Sequence, residues 1–244
     1  MSDAFVRTVT VWDLPTRLFH WLLVLLVGLS FVTGEFRTMT IKIPMSLPGG
    51  GQVIPTLDIH LYSGLTVLSL LVFRIVWGVF GSESARFASF VRGPWQVFDH
   101  LRRLRAEPDF VPGHNPAGAV MIVLMLVLLT VQAVTGLVLT DDDDPYAFTA
   151  PFNGHVGEPT AKLLATIHAY NWTIIQILVI VHVIAVLYYV LARRENLIGA
   201  MFSGRRVVPP GTPTPDLTFA PTLLGLLLAA VAGVAVWAVV RFAA

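Results

Sequence analysis

LLATIHAYNWTIIQILVIVHVIAVLYYVLA, residues 163–192, is apolar almost throughout yet carries His168 and His182. The two histidines are fourteen positions apart. At about 100° per residue that is roughly 1400°, within ~40° of four whole turns, so both imidazoles face the same way. At ~1.5 Å rise they stand about 21 Å apart along the axis. A helix of this length and composition reads as membrane-spanning. An ionisable side chain inside such a helix is costly, and its default reading is a functional site with a partner. Two histidines on one face, one near each membrane side, predict two metal centres stacked across the bilayer.

The rest of the chain agrees with a membrane setting. It has 244 residues, 55% hydrophobic and 13% charged, with a mean hydropathy of +0.75. That is the composition of a membrane protein, in contact with lipid, and a formal charge of +1 implies no nucleic-acid partner. Cysteine is absent, which excludes disulfides, thiolate zinc sites, Cys-ligated iron–sulfur clusters and the C-x-x-C-H attachment of c-type heme. A redox centre must then be held by His, Met or carboxylate. The N-terminal region does not read as a cleavable signal. Arg7 and Arg17 precede an apolar run too long for an h-region, and no A-x-A site follows it.

Five spans are predicted, at about 15–34, 58–80, 116–139, 163–191 and 221–240, each near the ~20 residues that a bilayer requires. Pro15, Pro116 and Pro221 suit helix starts, where the missing N–H is not needed. Eleven Lys/Arg residues lie before span 1, between spans 2 and 3, and between spans 4 and 5, whereas the opposite side holds Arg37, Lys42, Lys162 and Arg241. This bias puts the N-terminus in the cytoplasm and the C-terminus outside the inner (cytoplasmic) membrane. The loop at 35–57 is too rich in Gly and Pro for a helix. Residues 94–105, PWQVFDHLRRLR, set Trp95, Phe98, Leu101 and Leu104 against an arginine face, as in a helix lying on the membrane surface. The Pro-rich stretch 204–218 separates span 5 from the first four. The organisation expected is a domain over 1–206, a linker at 207–220 and an additional helix at 221–240. No solenoid-type repeat is visible.

Depth pairs the histidines. His20 lies near the cytoplasmic entry of span 1 and His60 near the outer entry of span 2. Span 4 runs inward, so His168 is near the outer surface and His182 about two-thirds of the way in. His60 therefore pairs with His168, and His20 with His182. A neutral imidazole is a good metal ligand, and two per iron fill both axial positions of a heme. Zinc is a weaker fit, because two His per level leave a tetrahedral site incomplete. Gly34, Gly64 and Gly136 would allow close backbone approach around a large planar cofactor, although ordinary helix packing accounts for them as well. Arg74, fourteen positions after His60, is a candidate partner for a heme propionate, with snorkelling to the interface as the alternative. His114, Asn115 and Arg92 could serve a heme carboxylate or a quinone carbonyl, or form a plain polar rim. His100 and His155 read as exposed. The run Asp141–Asp144 reads as solvated loop that could also steer a basic donor.

Several of these stretches occur together, in the same order, in one family. VWDLPTRLFHWLL, DIHLYSG, RIVWGVFGSESARF, GHNPAG, QAVTG, the histidine pair of span 4 and RRENLIGAMFSGRR resemble the bacterial cytochrome b561 and nickel–iron hydrogenase b-type cytochrome superfamily over about residues 9–206. The resemblance implies an all-α integral membrane protein with a four-helix, heme-binding bundle, here followed by a fifth C-terminal transmembrane helix. It implies two b hemes per chain, with His20, His60, His168 and His182 as axial ligands, and electron exchange with quinone. Many relatives carry an acidic residue where this chain has Ala169, so a role for that carboxylate does not transfer. The expected function is electron passage between an extracytoplasmic redox partner (a hydrogenase, another dehydrogenase or a c-type cytochrome) and the quinone pool. A stand-alone quinone reductase using a small donor such as superoxide, and a non-redox membrane anchor, are the alternatives. A homo-oligomer is compatible with the sequence.

Overall fold

The computed structural model describes residues 7–102, 113–141, 148–208, 211–213 and 216–243. The chain is an all-α membrane protein, with five helices among the described residues long and apolar enough to cross a membrane. In chain order the elements are β1 (Thr8–Thr10), α1 (Leu14–Glu35), β2 (Thr40–Lys42), β3 (Val53–Pro55), α2 (Thr56–Phe80), α3 (Phe87–Phe90), α4 (Pro94–Arg102), α5 (Pro116–Gly136), β4 (Thr140–Asp141), β5 (Phe148–Thr149), α6 (Glu158–Leu191), α7 (Leu197–Ser203), β6 (Arg205–Val207) and α8 (Thr222–Ala243). The expected spans correspond to α1, α2, α5, α6 and α8. Span 3 ends three residues earlier than expected, because Leu137 and Leu139 leave the helix to accept hydrogen bonds from Phe152 and Ala150. Helix α6 starts earlier than expected, at Glu158, which pairs one turn on with Lys162. The surface helix is described as far as Arg102, with Trp95 and Phe98 exposed. Its remaining residues, and Asp142–Asp144, lie outside the described residues.

The chain divides into two compact units, and the long helices contribute to both. The first unit comprises residues up to Phe19, Phe73–Val127 and Ile175–Leu228. Here β1 pairs antiparallel with β6, Val9 opposite Arg206. Gly204 ends α7 with a left-handed φ of 79°, and its carbonyl accepts from both Val11 N (2.7 Å) and Trp12 N (3.1 Å). Asp13 then starts α1. One carboxylate oxygen caps the helix by accepting from Thr16 N at 2.7 Å, and the other accepts from Trp77 Nε1 at 3.1 Å. Both acceptors satisfy donors that burial would otherwise leave unpaired.

Residues 207–220, read as a linker, are tied down near their end. Glu83 N donates to Thr218 O, Thr218 N donates to Glu83 Oε2, and Ala220 N donates to Ser82 Oγ, all within 2.9–3.1 Å. The first turn of α8 then packs so closely that a Cβ on Gly225 would lie 2.5 Å from Pro15 Cγ and 3.3 Å from Trp77 Cη2. In lipid such close contact stabilises through van der Waals packing, since acyl chains could cover an apolar face equally well. Deleting residues 211–244 is therefore expected to lower the melting temperature of the detergent-solubilised protein. An unchanged melting temperature would show that α8 adds nothing to the unit.

The second unit comprises His20–Val72, Leu128–Ile174 and the chain after Ala229. The Gly/Pro-rich loop after α1 folds as the β2–β3 hairpin, Ile41 opposite Ile54. Its turn needs Gly50, where a Cβ would sit 2.6 Å from the backbone of Met45. A second ribbon joins β4 to β5. Polar side chains bind the helices in pairs. Ser30 Oγ meets Ser63 Oγ at 2.7 Å between α1 and α2. Asn171 Nδ2 donates to Leu128 O and Gln132 Oε1 between α6 and α5. Inside a bilayer such bonds replace water as the partner of each polar group.

Candidate functional site

His60 and His168 come together in the second unit, their ring centroids 6.5 Å apart and their planes inclined at 69°. Each ring is held through Nδ1. His60 Nδ1 lies 2.9 Å from Ser30 O, a carbonyl that can only accept, so Nδ1 carries the proton. His168 Nδ1 lies 3.0 Å from Thr135 Oγ1, whose own hydrogen is directed to Val131 O at 2.7 Å, so the hydroxyl accepts from the ring. Both neutral imidazoles therefore keep their lone pair on Nε2, the arrangement by which outer hydrogen bonds orient metal-binding histidines. A metal–nitrogen bond of about 2 Å on each side, plus roughly 1 Å from nitrogen to ring centre, sets trans imidazoles about 6 Å apart. The observed separation matches a single ion bound between them.

The glycines expected to allow close approach divide. A Cβ on Gly34 would lie 3.2 Å from His60 Cε1, and one on Gly136 would lie 3.1 Å from His168 Cε1. Gly64 has no protein atom within 4 Å of such a Cβ, so no protein neighbour requires glycine there. Among the described residues no group of three or more His, Cys, Asp or Glu could hold a metal ion. Two imidazoles facing each other suit a planar tetradentate cofactor, which supplies the remaining ligands itself, and the pair fits a heme. Ser30 and Thr135 were not recognised from the sequence as the partners of these rings.

His20 and His182 are both partly exposed, on α1 and α6. The His20 ring stands edge-on to Trp21 at 5.0 Å. His20 belongs to the second unit and His182 to the first, so their pairing rests on depth along the helices.

Arg74 on α2 is 3% exposed, and one Nη is buried without a hydrogen-bond partner among the described residues. Its guanidinium lies over the Phe87 ring at 4.8 Å. The side chain is thus buried in protein, where a cation requires an anion. In the same unit His114 is wedged between Trp12 (4.4 Å) and Phe90 (4.6 Å), with Nδ1 buried and unpartnered among the described residues. Burial foremost, and then the charge of Arg74, push its pKa down to about 3, so the ring is neutral at physiological pH. Asn115 is a helix cap. Its Oδ1 accepts from Gly118 N at 2.7 Å, and its Nδ2 donates to Tyr189 OH at 2.9 Å. Arg92 donates to Ser89 O. His114, Arg92, Ser84 and Ser89 line a cavity of about 330 Å³. A second, apolar hollow of about 160 Å³, lined by Ala119, Val120, Val123 and Leu124, shares Arg92 with it. His100 is not simply exposed, since its Nε2 lies 3.5 Å from Tyr189 OH. His155 stays in an exposed loop against Phe152.

Residues 11–204 match the family model described as prokaryotic cytochrome b561. Relatives include the probable Ni/Fe-hydrogenase 1 B-type cytochrome subunit of Escherichia coli (strain K12), 27% identical over 154 residues, which are 58% of this chain and 64% of that protein. The match thus spans just under two thirds of the Escherichia coli protein's length. The probable Ni/Fe-hydrogenase B-type cytochrome subunit of Rhizobium leguminosarum bv. viciae is 26% identical over 219 residues, covering 82% of this chain and 90% of that one. That of Rhodobacter capsulatus is 25% identical over 222 residues, with 82% and 81% covered. No solved structure matches the chain significantly.

Proposed function

This chain belongs to the prokaryotic cytochrome b561 family, and on that premise we propose that it is a transmembrane electron conduit between an extracytoplasmic redox partner and the quinone pool. Membership implies heme b, which when bound supplies an iron that takes up and releases one electron at a time. His60 and His168 would hold one such group, and His20 with His182 a second nearer the cytoplasmic side. The observation that carries this reading is the outer pair itself, with both Nδ1 atoms engaged and a centroid separation of 6.5 Å. By holding the group from two helices, these two imidazoles would favour electron transfer over oxygen chemistry. Arg74 would receive a heme carboxylate, a partner for its buried, unbonded Nη.

The cavity at His114 is the quinone-exchange site in this reading. Its mixed polar and apolar lining suits a quinone head, with neutral His114 and Arg92 facing the carbonyls, and the adjoining apolar hollow suits the start of an isoprenoid tail. The relatives are named as subunits of Ni/Fe-hydrogenase. A hydrogenase-type subunit, or a c-type cytochrome, is accordingly the partner proposed here, on the side that the Lys/Arg bias assigns to the periplasm. Chemical extraction of porphyrin from the purified full-length chain tests the reading. Two b-type groups per chain are expected; a colourless protein, or one group per chain, would overturn it.

A further inference from the structure

The surroundings of the outer histidine pair are built twice. Val32-Thr33-Gly34 closes α1, and Val134-Thr135-Gly136 closes α5. Both threonines are buried, at 4% and 5% exposed. Each hydroxyl donates to the carbonyl four residues back, Leu29 O or Val131 O, at 2.7 Å. Each also approaches the carbonyl three residues back, Ser30 O at 3.4 Å or Gln132 O at 3.1 Å. Each glycine abuts the histidine of the following span, and both meet the same ring atom, Cε1, at 3.2 and 3.1 Å from the position a Cβ would take. The Nδ1 partner of His60 is Ser30 O, four residues before Gly34, and that of His168 is Thr135 Oγ1 within the second triplet.

We propose that the two Val-Thr-Gly turns are duplicate positioning elements, α1 serving His60 as α5 serves His168, which fix both rings so that their Nε2 atoms face one iron as a matched pair. The proposal rests on the reading of these histidines as heme ligands. Its physical basis is the bonding of the ring. Cε1 joins Nδ1 to Nε2, so any group that pushes Cε1 displaces both the hydrogen-bonded and the metal-facing nitrogen. A Cβ on either helix would press the same ring atom out of place by a few tenths of an ångström. Thr135 Oγ1 adds an acceptor beside His168 Nδ1–H, and the backbone of Gln132 bonds the His168 ring as Ser30 O bonds that of His60, so each ring has a backbone acceptor four residues before its glycine. The inclination of 69° between the rings gives a spectroscopic handle. Nearly perpendicular imidazoles leave the two iron d orbitals that overlap with them close in energy, which produces a strongly anisotropic low-spin EPR signal.

The experiment uses full-length protein purified in detergent, with heme content, EPR spectrum and midpoint potential measured for each variant. Gly34→Ala and Gly136→Ala should each alter the EPR signal and potential of one heme and spare the other. Retention of that heme should weaken about 10-fold or more, by similar amounts in the two variants. Gly233→Ala on α8, where a Cβ would meet nothing within 4 Å, is the control and should match the parent. Thr135→Val should move the same signal, and Thr135→Ser should restore it. Parental spectra and potentials in both glycine variants would overturn the proposal. If those variants do not fold, the Val/Ser contrast at Thr135 decides in the same way. A protein whose spectrum is indifferent to His60→Ala overturns instead the underlying reading of the pair as ligands.

Discussion

On the proposed ligation, replacing His60 with alanine will halve the heme content of the purified chain, and His168→Ala will do the same. In the proposed ligation each imidazole would hold the same iron, and the described residues offer no substitute. Among the described residues no further His, Cys, Asp or Glu completes a metal group. Losing one ligand would leave the group held by one imidazole only. The partner ring would keep its own anchor, Thr135 or Ser30, but a single axial bond holds the group far less tightly. The readout is porphyrin per chain together with a redox titration, in which one of two components should vanish. His182→Ala should remove the other component. Two intact components after His60→Ala would refute the pairing by depth.

Asp13→Ala is expected to cost about 2–4 kcal/mol of stability, the largest effect foreseen for a residue that binds no cofactor. Two losses combine. Removing the cap of α1 contributes ~1 kcal/mol. Trp77, fully buried, would lose the acceptor of its indole N–H, and an unpaired buried donor costs about 1–3 kcal/mol. Asp13 is also the acidic group whose charge reaches buried Arg74, so its removal isolates that cation further. An asparagine side chain offers one carbonyl oxygen where the carboxylate offers two, so Asp13→Asn should recover roughly half of the loss. Unfolding followed by tryptophan fluorescence measures both variants. An Asp13→Ala protein as stable as the parent would mean that neither bond matters.

The five spans were legible because lipid imposes a length and a composition that few soluble helices share. The approach of His60 to His168 was legible too, since helical rise alone puts both near the same membrane surface. What holds those rings was not. Ser30 contributes a backbone carbonyl, which any residue possesses, so no residue type could announce it. Thr135 did carry a signal, the Val-Thr-Gly triplet at 32–34 that returns at 134–136, but a three-residue repeat says little until both copies are seen beside a histidine. Asp13 went unassigned although Pro15 was read as marking a helix start, and an acidic residue just before such a start is the usual cap. The packing of Gly225 on Pro15 and Trp77 lay beyond sequence reasoning, because a Pro-rich approach reads as separation and gives no sign of where the following helix docks.

The pairing of β1 with β6 sets a schedule for biogenesis. Thr8–Thr10 leaves the ribosome well before its hydrogen-bond partners Arg205–Val207. At ~5–20 residues per second the opening segment waits roughly 10–40 s for the strand that completes it. Until then Val11 and Trp12 lack the carbonyl of Gly204 that their amides will find. A chain whose synthesis stalls before that glycine leaves this strand unpaired and open to proteolysis, so unfinished copies carry an exposed mark far from the point where synthesis stopped.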